Sequence, residues 1–222
     1  FKAKKFIVYF QSFTNTYAPL STLKALYEKA LSFDDVIGLS IGTRTDCVTD
    51  EILDFLYEKS KQKEIWIEYG IQSFFQTTLD KINRADDVEN MRYWIRRTKE
   101  KGLNVCGHLI YGLPDENQEM MLETFKQTID LKVDSIKFHP LYVVKNTLLT
   151  NEFKKGRFTP ISEELYIDTV VQSIINLPQN VSVQRVTAGI DDDTLLSPLW
   201  CKNKHQQMRN IRVALEEKGF IY

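Results

Sequence analysis

The chain has 222 residues, 43% hydrophobic and 27% charged, enough for one sizeable core, and a single domain over residues 1–222 is expected. Lysine plus arginine (29) nearly balances aspartate plus glutamate (30), so bulk charge recruits neither nucleic acid nor an anionic membrane, although a local patch remains open. No apolar run reaches the ~20 residues of a membrane helix, no signal peptide is expected, and the widely spaced Cys47, Cys106 and Cys201 argue against a disulfide framework and for a reducing, cytoplasmic setting.

The elements follow in order. Lys5–Ser12 reads as a strand, and Leu20, Leu23, Leu26, Tyr27 and Ala30 carry the spacing of an amphipathic helix over 20–31. A second strand over 36–43 precedes a helix capped by Thr49 and running through Lys61. A third strand, 65–72, leads to a short helix ending near Ile82 and a longer one from Asp87 to Lys101, stopped by Gly102. Val105–Tyr111 is a fourth strand, broken by Gly112 and Pro114, with a helix from about Glu119 to Leu131. The fifth strand is read as 135–144. A loop through Gly156 and Pro160 then leads to a helix opened by Ser162 and ended by Pro178. A sixth strand, 181–187, and a closing helix from Gln206 to Lys218, with a tail to Tyr222, complete the chain.

Six strands each followed by helix imply a parallel sheet with helices outside. Side-chain parity chooses between an open doubly wound sheet and a barrel. One parity is apolar, with Ile7, Leu39, Ile41, Ile65, Ile67, Ile71, Leu109, Ile136 and Phe138 facing the helices. The other is polar, with Tyr9 and Gln11, Ser40, Glu68 and Gln72, Cys106 and His108, Lys137 and His139, and Arg185. A sheet covered on both faces would be apolar in both parities. A curved sheet around a ligand-sized lumen would not, so the fold is read as a partial βα barrel with its site at the C-terminal ends of the strands. Glu68 and Lys137 could be a simple buried ion pair. A carboxylate, an amine, two imidazoles, a guanidinium and two amides in one cavity are better explained by a polar ligand. Arg84 carries a planar fork suited to a carboxylate, and the bland alternative is a surface arginine. No spacing resembles a metal site.

Tyr9–Tyr17 (YFQSFTNTY), Gly42–Asp46 (GTRTD), Glu68–Ser73 (EYGIQS), Ile82-Asn-Arg84, His108–Pro114 (HLIYGLP), Lys137–Leu141 (KFHPL) and Ser197–Cys201 (SPLWC) resemble the barrel of radical S-adenosylmethionine (SAM) proteins. The resemblance is closest to the YhcC-like group, related to the radical domain of the Elongator catalytic subunit. The Gly-Ile-Gln-Ser and Leu-Ile-Tyr-Gly-Leu-Pro pieces are also similar to oxygen-independent coproporphyrinogen oxidases.

The resemblance implies a six-stranded partial barrel, a [4Fe–4S] cluster, SAM, and a low-potential reductant such as flavodoxin or ferredoxin. It places Gln11 and Ser12 near the methionine amino group, and Gln72 and Arg84 at ribose and carboxylate. His108 falls at a ribose-side position, Ile110 and Gly112 in the adenine-side motif, and Leu141 to Val143 on backbone that meets adenine. Glu68 is a substitute ribose ligand, because Gly42 occupies the position where related enzymes often carry glutamate. Tyr9, His108, Lys137 and His139 are the candidate catalytic groups. The family's Cys-x3-Cys-x2-Cys cluster motif is absent from these residues, and Cys47, Cys106 and Cys201 do not share one loop. The chain begins with Phe1 at what resembles the family's second strand, so the first strand and cysteine loop are expected upstream, and the fragment alone is expected to be inactive. Kinship suggests RNA, including tRNA, as substrate of the whole enzyme. Two alternatives stand beside this reading: a lysine-dependent lyase or aldolase using Lys137 as a Schiff-base nucleophile, and an RNA-binding module using Lys202, Lys204, His205, Arg209 and Arg212.

Overall fold

Several of the predicted helices begin where a short polar side chain can accept a hydrogen bond from an orphan amide. In the computed structural model, which describes residues 2–220, Thr49 caps α2 (Asp50–Ser60), Asp87 caps α4 (Val88–Glu100) and Ser162 caps α7 (Glu163–Ile175). Asn203 caps the closing helix α8 (Lys204–Glu217). The ends of the expected 1–222 domain, Phe1, Ile221 and Tyr222, lie outside the described residues. Helices α1 (Leu20–Leu31), α3 (Gln76–Lys81) and α5 (Gln118–Asp130) complete those read from periodicity.

The strands are β1 (Phe6–Phe10), β2 (Val36–Thr43), β3 (Glu64–Gln72), β4 (Asn104–Tyr111), β5 (Ser135–Pro140) and, after β6 (Val143–Val144), β7 (Ser182–Arg185). One six-stranded sheet has the order β1-β2-β3-β4-β5-β7, with β1 and β7 at its edges. β1 to β3 pair in parallel, with Leu39 opposite Ile65 and Ile41 opposite Ile67, so the apolar parity is stacked.

The fold departs from the sequence expectation in four places. The strand expected over 135–144 stops at Pro140, which has no backbone N–H to donate, although the Leu141 amide still bonds to the carbonyl of Tyr111 at 2.9 Å. β6 turns instead into a separate antiparallel ribbon with β8 (Leu195–Ser197). The expected loop through Gly156 holds a seven-residue helix, α6 (Leu148–Lys154), capped by Thr147. Ile7 is 39% exposed, since β1 is an edge strand.

The described residues pack as two compact units. The first holds the chain up to Ile71 with Asp86–Gly107 and Asp130–Ser135. Its core is Leu39, Ile41, Leu53, Leu56, Ile65 and Ile67, each at most 1% exposed. There Tyr69 Oη and Thr98 Oγ1 share a buried hydrogen bond of 2.8 Å, and Asp134 accepts from Lys99 Nζ and from the Val105 amide. The second unit holds Gln72–Ala85, His108–Ile129 and the chain from Ile136. It is centred on Tyr111, with ring centroids 5.4 Å from Phe138 and 6.3 Å from Tyr166, and its hydroxyl is 2.8 Å from Ser173 Oγ.

Candidate functional site

In the first unit, strand parity gathers polar groups around Glu68, which is 2% exposed. Its carboxylate accepts from Tyr9 Oη at 2.8 Å and, in a shorter contact, from Ser40 Oγ. Donors of this kind let a carboxylate remain buried. Gln11 and Ser12 leave β1 on an exposed segment. That segment is pinned by Asn15, whose amide donates to the carbonyls of Phe10 and Gly42, both at 2.9 Å.

In the second unit, three strand ends converge. Gln72 closes β3, Ile110 lies near the end of β4 and Leu141 follows β5, and all three line one cavity of about 560 Å³. Ile82, Leu113, Pro114, Leu149 and Phe158 give it mostly apolar walls. The side-chain amides of Gln72 and Asn83, also in the lining, have no hydrogen-bond partner among the described residues. An apolar cavity with a few unspent polar groups is the usual form of a small-molecule site.

The backbone around the cavity is held in left-handed conformations. Asn83 (φ +55°) is the residue after α3, and the following amide, Arg84 N, bonds back to Leu79 O at 2.9 Å, an ordinary helix stop. Asp115 (φ +66°) is third in the Leu113-Pro114-Asp115-Glu116 turn, closed from Glu116 N to Leu113 O at 3.1 Å. Gly112 has φ +88°, and a Cβ placed there would sit 2.7 Å from Ile161. Gly112 therefore serves both the turn and a close approach. Gln72 (φ +68°) sits at a strand end, with neither a helix stop nor a turn to explain it.

The rings of His108 and His139 stack with centroids 5.5 Å apart and planes at 30°. Lys137 is 6% exposed in β5, and Arg84 is half-buried after α3. Val143 is fully buried in the β6–β8 ribbon, opposite Ser197. Lys202, Lys204, His205, Arg209 and Arg212 are all exposed, on or next to α8.

Sequence reasoning passed over Glu116 and α6. Glu116 accepts from Ser73 Oγ at 2.5 Å; burial pushes its carboxyl up, against the opposing pull of the Ser73 and Thr78 hydroxyls. An acid straight after the Gly-Leu-Pro-Asp turn was the available signal. For α6 the signal was the Thr147 cap, but seven residues hold too few turns to show a period.

Cofactor fit differs for the two groups implied by the resemblance. The cavity has the apolar walls and free amides that a nucleoside requires. The cluster finds no such fit: Cys47 lies in the turn Thr45–Cys47, Cys106 in β4 and Cys201 in the turn Leu199–Lys202, three separate elements rather than one loop.

Comparison with known proteins places this geometry. Residues 1–128 match the family model described as the Radical SAM superfamily, and residues 133–217 match the Radical_SAM C-terminal domain. The chain is 38% identical over 219 residues to Protein YhcC of Escherichia coli K12, covering 98% of this chain and 71% of that protein. It is 30% identical over 158 residues to the tRNA uridine(34) acetyltransferase of Methanocaldococcus jannaschii, covering 69% of this chain and 28% of that protein. The fold matches the archaeal Methanocaldococcus infernus Elp3 with an N-terminal deletion at a TM-score of 0.84 and 20% identity, over 99% of this chain and 55% of that one. The parallel six-stranded sheet is thus the partial barrel of that class, and the chain belongs to the radical SAM superfamily.

Proposed function

We propose that this chain is the SAM-binding barrel of a radical SAM enzyme that modifies RNA, with the cavity of the second unit receiving the nucleoside end of SAM. The observation that carries the reading is the convergence of Gln72, Ile110 and Leu141, from three different strand ends, on one apolar cavity. When bound, SAM supplies a sulfonium-activated 5′-deoxyadenosyl group. Ile110, Leu113 and Leu141 would hold the base by apolar contact and exclude water from it. Gln72 would offer its amide to the ribose, at the cost of a left-handed backbone of order 1–3 kcal/mol that a purely structural residue would avoid. Arg84 would pair with the methionine carboxylate through its guanidinium fork. His108, His139, Lys137 and Tyr9 are the groups proposed to handle protons or substrate.

The residues present offer no cysteine set for a cluster, so no electron-transfer step is derived from them. RNA is proposed as the substrate class by similarity to the tRNA uridine(34) acetyltransferase. Membership of the superfamily leaves the lysine-lyase alternative without support.

The test is isothermal titration of SAM into the chain as it stands and into an Ile110→Trp variant that fills the cavity. Saturable binding by the parent, weakened at least about tenfold in the variant (~1.4 kcal/mol), is expected. Equal binding by both, or binding by neither, would remove the cavity as the SAM site.

A further inference from the structure

The outer end of the same cavity carries a cluster of charge that nucleoside binding leaves unused. Glu152, in the lining, is held by a two-pronged ion pair from Arg157, with Nε to Oε2 at 2.7 Å and Nη2 to Oε1 at 2.6 Å. Arg157, Lys155 and Lys81 together keep its carboxyl below the usual range, so three cations stand around one carboxylate. Lys81 also pairs with Asp115. Lys154, Lys155 and Arg157 are exposed on the tight turn that ends α6, where Gly156 has φ +67°. Lys81, Lys155 and Arg157 against Asp115 and Glu152 leave a net charge of +1 on this rim, in a chain whose total is −1. Phe158 and Leu148, the latter 83% exposed, line the cavity together with Lys81 and Arg157.

We propose that Lys81, Lys155 and Arg157 form a phosphate-binding rim that docks a single-stranded nucleic acid, with a base stacked on Phe158 and Leu148 at the mouth of the cavity. Cations tracking a backbone beside an aromatic platform form the recognition unit for single strands, in which stacking contributes ~1–3 kcal/mol per base. An acidic peptide would use the cations and leave the apolar mouth empty; a membrane surface would meet the concave mouth poorly. The basic face of α8 has charge without this adjoining cavity lining, so the rim is the better supported surface. The proposal rests on the functional reading only for its substrate class.

The experiment measures binding of a fluorescent mixed-sequence oligoribonucleotide to the full chain across a salt series. Lys81→Gln/Lys155→Gln should lower the slope of log K against log salt by ~1.4, about 0.7 for each lost contact. Glu152→Gln, which removes the carboxylate among the cations, should tighten binding by on the order of fivefold. A control removing equal charge elsewhere, Lys126→Gln/Lys132→Gln, should change neither. The proposal is overturned if the control weakens binding as much as the rim variant, if Glu152→Gln does not tighten it, or if phosphatidylserine vesicles bind and the oligonucleotide does not. SAM titration of the same variants separates the two ideas: intact oligonucleotide binding without SAM binding sinks only the cavity assignment, and the reverse sinks only the rim.

Discussion

Gly112→Ala tests whether the end of β4 is built as described. The substitution meets two costs. Its backbone is left-handed (φ +88°), which disfavours an L side chain by ~1–2 kcal/mol. Its Cβ would lie 2.7 Å from both Cβ and Cγ2 of the buried Ile161, and overpacking of that kind costs ~1–3 kcal/mol. Gly156 supplies the comparison, since its φ is +67° and nothing lies within 4 Å of an added Cβ. Gly156→Ala should therefore lose only the backbone contribution of ~1–2 kcal/mol, while Gly112→Ala loses ~2–5 kcal/mol, a large share of an ordinary domain's stability. Equilibrium urea unfolding of the parent and both variants, with m-values checked for constancy, measures the difference. If the two variants fall within ~0.5 kcal/mol of each other, the close approach to Ile161 is not real and the end of β4 is misplaced.

Glu116 makes a signed prediction. Its folded carboxyl is raised above the ordinary value of 4.5, so the folded state binds more protons in the window above that value. Its contribution therefore declines as pH rises from 4.5 through the folded value, and below 4.5 it is constant. Urea midpoints of Glu116→Gln minus parent should drift in the variant's favour across that window, and a flat difference would refute the assignment. The thiols make another: Cys201 is pushed up to about 12 by burial, with Glu163 adding to it, Cys106 is buried, and half-exposed Cys47 is raised by burial and by Asp46. Native protein should react with a thiol-exchange reagent at Cys47 alone, and slowly, with all three cysteines reacting only in denaturant. Rapid native reaction at two or more would show that the packing around Cys106 or Cys201 is wrong.

Much of this was readable because the relevant signals are local. The caps at Thr49, Asp87 and Ser162 each need one hydroxyl or carboxylate three residues ahead of an amide, and all three bonds form. The parity of β2 and β3 needs only alternation, and Ser40 and Glu68 meet as alternation requires. What escaped depends on partners distant in sequence. Pro140 alone did not reveal that Val143 would find Ser197, 54 residues on. The cavity was half legible: Gln72, Ile110 and Leu141 were named, whereas Leu148, Leu149, Glu152 and Phe158 arrive from a helix too short to announce itself and a turn beyond it.

The left-handed residues around the cavity separate geometry from strain. Asn83 and Asp115 adopt φ > 0 at a helix stop and a tight turn, positions where asparagine and aspartate are tolerated and where local hydrogen bonds offset the cost. Gln72 has neither arrangement, and its amide is left without a partner among the described residues. A backbone cost of order 1–3 kcal/mol with no local turn to offset it is hard to explain by packing, because glycine would relieve it. That cost instead follows from one requirement, that a polar group stand in the wall of an apolar cavity and remain available. Gln72, more than any buried residue, is therefore where the case for a ligand in this cavity is strongest.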